Sequence, residues 1–155
     1  MKKYKVCLYI TGSIELVLGL FLLISSIYTM VISASIPTII EDLTQNTSAN
    51  AEALATITQR IYFISSILSM LVSFTYILLG ALTIFDTKNA QNSLQVNRIF
   101  GASIFEYIMF VVYVISGINY ANVITLLFAI LSAVTAIIKT SILHAYKKET
   151  LKQKL

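Results

Sequence analysis

Residues 6–36 read VCLYITGSIELVLGLFLLISSIYTMVISASI, an apolar run carrying a single charge, Glu15, and preceded by Lys2, Lys3 and Lys5. A helix needs roughly 20 apolar residues to cross the ~30 Å of a bilayer's hydrocarbon, so this run is long enough with residues to spare. Further runs follow at 61–85, 99–118 and 123–143, with a polar outer loop, 37–60, between the first two. Small residues recur in these runs at helical spacing, not in the alternation of barrel strands, and lipid offers no partner to free backbone groups. The sequence therefore predicts an all-α chain, one integral membrane four-helix bundle spanning residues 1–155.

Composition points the same way. Of the 155 residues 57% are hydrophobic and only 12% charged, and the mean hydropathy is +0.85, which excludes an ordinary soluble domain. With one cysteine (Cys7), one histidine (His144) and no tryptophan, the chain can form no internal disulfide and cannot alone build a Cys/His metal cluster, so neither metal nor cofactor is expected. The net charge is +4, but the basic residues flank apolar runs, which makes the lipid bilayer and not nucleic acid the expected contact.

Those basic residues also set an orientation. Lys2, Lys3, Lys5, Lys88, Arg98, Lys147, Lys148, Lys152 and Lys154 share one side, while the outer loop has only Arg60 against Glu41, Asp42 and Glu52. The positive-inside rule then predicts a multi-pass protein of the cell membrane with both termini cytoplasmic. A cleaved signal peptide is the competing reading of the start, from Lys2-Lys3-Tyr4-Lys5 and Ser33-Ala34-Ser35, but the run is long for one and Glu15 interrupts it.

Pro37, the sole proline, is expected to end the first span. Ser48 is positioned to cap a helix over 48–55, so the second span is expected to begin outside the membrane. Asn46-Thr47-Ser48 matches a glycosylation acceptor, a triplet common by chance. The connector 86–98, with Asn89, Gln91, Asn92, Gln95 and Asn97, reads as a solvated linker.

Three ionisable residues fall within the runs, Glu15, Glu106 and Lys139, and form a candidate intramembrane charge cluster because charge in lipid is costly. Glu106 lies eight residues past Arg98, about 12 Å along a helix, and Lys139 lies eight before Lys147, so their depths match. The depth of Glu15 is open, since its run is longer than a span requires. For Lys139 the preferred reading is that its long stem snorkels to the inner interface, the other being an ion pair with Glu106 or Glu15.

Gly12 and Gly19 share a helix face with Glu15 and permit close approach of another backbone. The same reasoning gives helix-packing stripes of Ser65, Ser69, Ser73, Tyr76 and Gly80; of Ala102, Ser103, Glu106, Tyr113 and Gly117; and of Ser132, Thr135, Ala136 and Lys139. Small-residue packing is preferred to a substrate path for these faces. Gly12-Ser13-Ile14-Glu15 is echoed by Gly101-Ala102-Ser103-Ile104-Phe105-Glu106, which permits a parallel two-hairpin repeat. No phosphate-binding loop, nucleophile elbow or histidine pair accompanies the charges, and His144 reads as a boundary residue, so no enzyme is expected.

The stretch Tyr9-Ile10-Thr11-Gly12-Ser13-Ile14-Glu15-Leu16-Val17-Leu18-Gly19 resembles the first span of small four-helix membrane proteins of Gram-positive bacteria, a group without an assigned activity. It also looks like the first span of small multidrug-resistance transporters, a resemblance that implies a proton-coupled role for Glu15. This chain departs from that family in its length, its outer loop, its lack of tryptophan and its two further charges.

The first functional expectation is a non-enzymatic accessory or immunity-like protein that binds another membrane or secreted protein. The alternative is a small proton- or cation-coupled transporter or channel, with a homo-oligomer expected and the carboxylates as binding groups. A phage-type pore former is the further alternative.

Overall fold

Each apolar run folds as a helix that overruns its sequence boundaries. The computed structural model describes residues 4–44, 49–88, 93–119 and 123–152. These form α1 (Lys5–Thr44), α2 (Ala49–Lys88), α3 (Ser93–Asn119) and α4 (Val123–Lys152). All four are long and apolar enough to cross a membrane, over Lys5–Ile40, Glu52–Lys88, Asn97–Ser116 and Thr125–Tyr146.

Buried positions along the helices follow a seven-residue repeat. On α1 it takes in Leu8, Glu15 and Ile36, interleaved with Gly12, Gly19, Ser26 and Ser33, with Thr11 and Leu18 buried beside them; on α2, Ser66, Ser73, Gly80 and Thr87, interleaved with Tyr76 and Thr83, with Ala55 and Asp86 also buried. On α3 it takes in Ile99 and Glu106 with Ala102 and Met109, Ser103 being buried beside them, and on α4 Ala129, Ala136 and Leu143 with Ser132 and Lys139, Thr135 and Ile142 being buried beside them. A repeat averaging 3.5 residues keeps one seam turned toward a partner helix, as in coiled coils. Here the seam is made of small and hydroxyl-bearing residues, the composition that lets apolar helices approach closely.

The sequence reads as one four-span domain; packing groups the chain into two compact units, one of Met1–Leu16 with Leu78–Leu155 and the other of Val17–Ile77. In the first, α3 and α4 run antiparallel: the Tyr113 and Phe128 rings lie 6.0 Å apart and the Tyr107 and Thr140 hydroxyls 3.4 Å apart. Leu8, Ile99 and Ile142 bring α1, α3 and α4 into one apolar cluster. Gly12 of α1 meets Gly80 of α2 so closely that a Cβ on Gly80 would lie 2.7 Å from the Gly12 carbonyl oxygen. The Lys5 ammonium donates to the Lys88 carbonyl at 3.4 Å, which levels these ends of α1 and α2.

In the second unit, α1 and α2 again meet through a glycine. A Cβ on Gly19 would come within 2.9 Å of the Ser73 carbonyl oxygen and 2.8 Å of the Ile77 nitrogen. Beyond it the Ser26 and Ser69 hydroxyls are hydrogen-bonded at 2.7 Å.

Three expectations are corrected. Pro37 does not end the first span, because α1 runs through it to Thr44. The proline removes one backbone bond, and the helix is kept on both sides of it, with Ile36 buried immediately before. The expected outer loop is therefore helix as far as Thr44, while α2, beginning at Ala49, agrees with the helix expected over 48–55; Ser48 and the triplet Asn46-Thr47-Ser48 lie outside the described residues. Finally, 86–98 is not simply a linker, since α2 continues to Lys88 and α3 begins at Ser93.

Candidate functional site

Each helix contributes one polar side chain to a single buried cluster in the first unit. Glu15 of α1, Glu106 of α3 and Lys139 of α4 are all at most 1% exposed, as is Thr83 of α2. All four lie on the seven-residue seams, so the repeat that packs the helices also turns these groups inward. The Lys139 ammonium donates to Glu106 Oε1 at 2.5 Å and forms a second ion pair with Glu15 Oε1. The Thr83 hydroxyl donates to the other Glu15 oxygen, Oε2, at 3.4 Å.

This corrects the preferred reading of Lys139. Its ammonium does not snorkel outward, because two carboxyl groups within reach replace the water it would otherwise seek. Two carboxyl groups share one ammonium, so the cluster holds one more acid than its lysine neutralises. The arrangement ties α1, α3 and α4 through one nitrogen, and the Thr83 hydroxyl joins α2 to it.

The packing residues divide between the units. Gly12 and Gly80 touch in the first, while Gly19 and Ser73 touch, and Ser69 is bonded, in the second. Ser65 does not join them: it is exposed, and its neighbour Ser66 is buried instead. A stripe drawn back from Ser69 by four residues lands on Ser65, whereas the observed repeat steps back by three. Gly117 lies in α3, with its surroundings outside the described residues. Ala102, Ser103, Ser132, Thr135 and Ala136 are buried.

The internal echo aligns only in part. Gly12 is packed against α2, but a Cβ added at Gly101 would have nothing within 4 Å. Counting from the glutamates, the counterpart of Gly12 is Ser103, which is fully buried.

Sequence reasoning missed Asp86. It is 1% exposed, with Arg98 NH1 3.7 Å away on α3 and no hydrogen bond to either carboxylate oxygen among the described residues. The signal was present in the spacing, since Gly80, Thr83 and Thr87 carry the α2 seam past this point. His144 and Cys7 are exposed, and no group of three or more potential metal-ligating residues occurs among the described residues. The chain matches no protein-family model, no curated protein and no solved structure.

Proposed function

We propose that the chain is a multi-pass protein of the cell membrane, with both termini cytoplasmic, that acts without catalysis by binding another membrane or secreted protein, in an accessory or immunity-like role. The observation that carries this reading is the length of apolar helix in α1. The stretch of α1 from Lys5 to Ile40 holds 36 residues with Glu15 the one charge after Lys5, about 54 Å at ~1.5 Å per residue, against ~30 Å of hydrocarbon. Even a tilt of about 40°, the top of the usual range, leaves roughly 10 Å of apolar helix uncovered. Lys5 and Lys88 hold one end level at the inner surface, so the surplus falls on the outer side. An apolar surface outside lipid needs a protein cover.

The charge cluster fits this reading as an internal tie between helices. Its groups are sealed from solvent and engage one another. Tying helices together requires no substrate route to them.

A second reading, proton- or cation-coupled transport, is favoured by the excess of one carboxyl group over ammonium in that cluster. Flux measurements on the purified protein in liposomes separate the two. No proton or cation flux above that of empty vesicles is expected; flux that Glu106→Gln abolishes would overturn the partner-binding reading in favour of transport.

A further inference from the structure

Among the described residues the buried ionisable side chains are Glu15, Asp86, Glu106 and Lys139, three acids and one base. Asp86 has the Arg98 guanidinium 3.7 Å away as its counter-charge. Glu15 and Glu106 have the Lys139 ammonium between them and no other ion pair among the described residues. Glu106 Oε2 is buried without a hydrogen-bond partner among those residues, and Glu15 Oε1 meets the ammonium without an aligned hydrogen bond. Negative charge left on these oxygens lacks the hydrogen bonds that would replace water. A metal ion would need a fuller ligand set, and no group of three or more potential ligands occurs among the described residues. A proton needs no coordination shell, and two carboxyl groups in one water-free site characteristically share one.

We propose that Glu15 and Glu106 together bind one proton, which leaves their cluster with Lys139 neutral, and that Thr83 and Asp86 form its way in from the basic end of the helices. The proton comes from a hydronium ion at that end, which leaves as water, and becomes the O–H of a carboxyl group belonging to the pair.

The route is set by α2. Thr83 donates to Glu15 Oε2 at 3.4 Å. Asp86 lies three residues further toward Lys88, buried and with neither carboxylate oxygen hydrogen-bonded among the described residues. Arg98 beside it is 51% exposed. From half-exposed Arg98 to the cluster is thus about one helical turn, past a carboxylate that can take up a proton and a hydroxyl that can pass one on. In the opposite direction α3 continues its seam with Met109, which has no exchangeable proton. On α4 the Thr135 hydroxyl is engaged by the Leu131 and Ser132 carbonyls of its own helix. The inference goes beyond both functional readings: a tie retains this proton and a transporter releases it, so occupancy is a separate question from flux.

The test is infrared spectroscopy of the full chain in an alkyl maltoside, a detergent without carbonyl groups. At neutral pH carboxyl groups in contact with water are ionised and absorb apart from the C=O stretch of a carboxylic acid. One such acid band per chain is expected. Glu15→Gln and Glu106→Gln should each remove it with helical content unchanged, since each leaves one carboxylate to one ammonium, and Asp86→Asn should keep it. Carboxyl-¹³C glutamate incorporated into the wild-type chain should shift the band, which asks the same question without a substitution. In deuterium oxide the band should move as O–H becomes O–D, and Thr83→Val and Asp86→Asn should each slow that exchange by at least about tenfold. Absence of the band, its survival in both glutamine variants, or its loss in Asp86→Asn would overturn the proposal. So would a band that labelled glutamate leaves unmoved, or exchange as fast in Thr83→Val and Asp86→Asn as in wild type.

Discussion

Taking away Lys139 leaves Glu15 and Glu106 together in a buried site without a cation, and each carboxyl group loses the group that replaced its water. Lys139→Met should therefore destabilise the protein by about 3–5 kcal/mol, the usual consequence of removing one partner from a buried ion pair. The triple replacement Glu15→Gln, Glu106→Gln and Lys139→Met removes all three charges and should recover most of that loss. Thermal unfolding in mild detergent measures both, and equal melting temperatures for wild type and Lys139→Met would contradict a tie through this nitrogen. That Glu106 and Lys139 lie at the same level was legible in the sequence, because rise per residue counted from the flanking basic residues supplies a ruler. Their pairing was not. It depends on the rotation of three helices about their axes, and a lysine stem long enough to reach either an interface or a neighbour gives no sign of which it finds.

At the scale of the helix, glycines in similar sequence surroundings have different consequences. Gly80→Ala would drive a methyl group against the Gly12 carbonyl oxygen and the Leu16 nitrogen, both backbone atoms, so the helices must separate, at a cost of about 1–3 kcal/mol. Gly101→Ala meets open space and should stabilise α3 by roughly 0.5–1 kcal/mol through the better helix propensity of alanine. Reversible unfolding of the two variants in the same detergent compares them directly; a destabilising Gly101→Ala would show that another backbone packs at that glycine. The four helices themselves were legible, since apolar runs of sufficient length have few other solutions. Their ends were less so. Pro37 is a strong local signal for a stop, but α1 runs through it to Thr44 at the cost of one lost backbone bond. The exchange of Ser65 for Ser66 has a related origin: spacing by fours and spacing by alternate threes and fours diverge by one residue within a turn, and only the partner helix decides between them.

For the whole molecule, the partner-binding reading rests on how much of α1 leaves the membrane, and that has a direct measurement. Counted from Lys5, Val17 lies about 18 Å along α1 and Ala34 about 43 Å; counted back from Lys88, Ala53 lies about 52 Å along α2. With the hydrocarbon at ~30 Å, Val17 should be within it and both alanines beyond its outer edge. All three side chains are exposed in the structure, so failure to react reports the lipid and not the protein interior. In a Cys7→Ser background, Ala34→Cys and Ala53→Cys should react with a membrane-impermeant maleimide added outside intact cells, and Val17→Cys should not. The native Cys7, two residues from Lys5, should react only after permeabilisation if the proposed orientation, with the basic residues inside, holds. Reaction of Cys7 from outside would reverse the orientation. Protection of Ala34→Cys together with Ala53→Cys, both before and after permeabilisation, would mean that tilt or bilayer adjustment keeps the long apolar stretches covered. The apolar surplus would then be lipid-facing, and the support it lends to a protein partner would be lost.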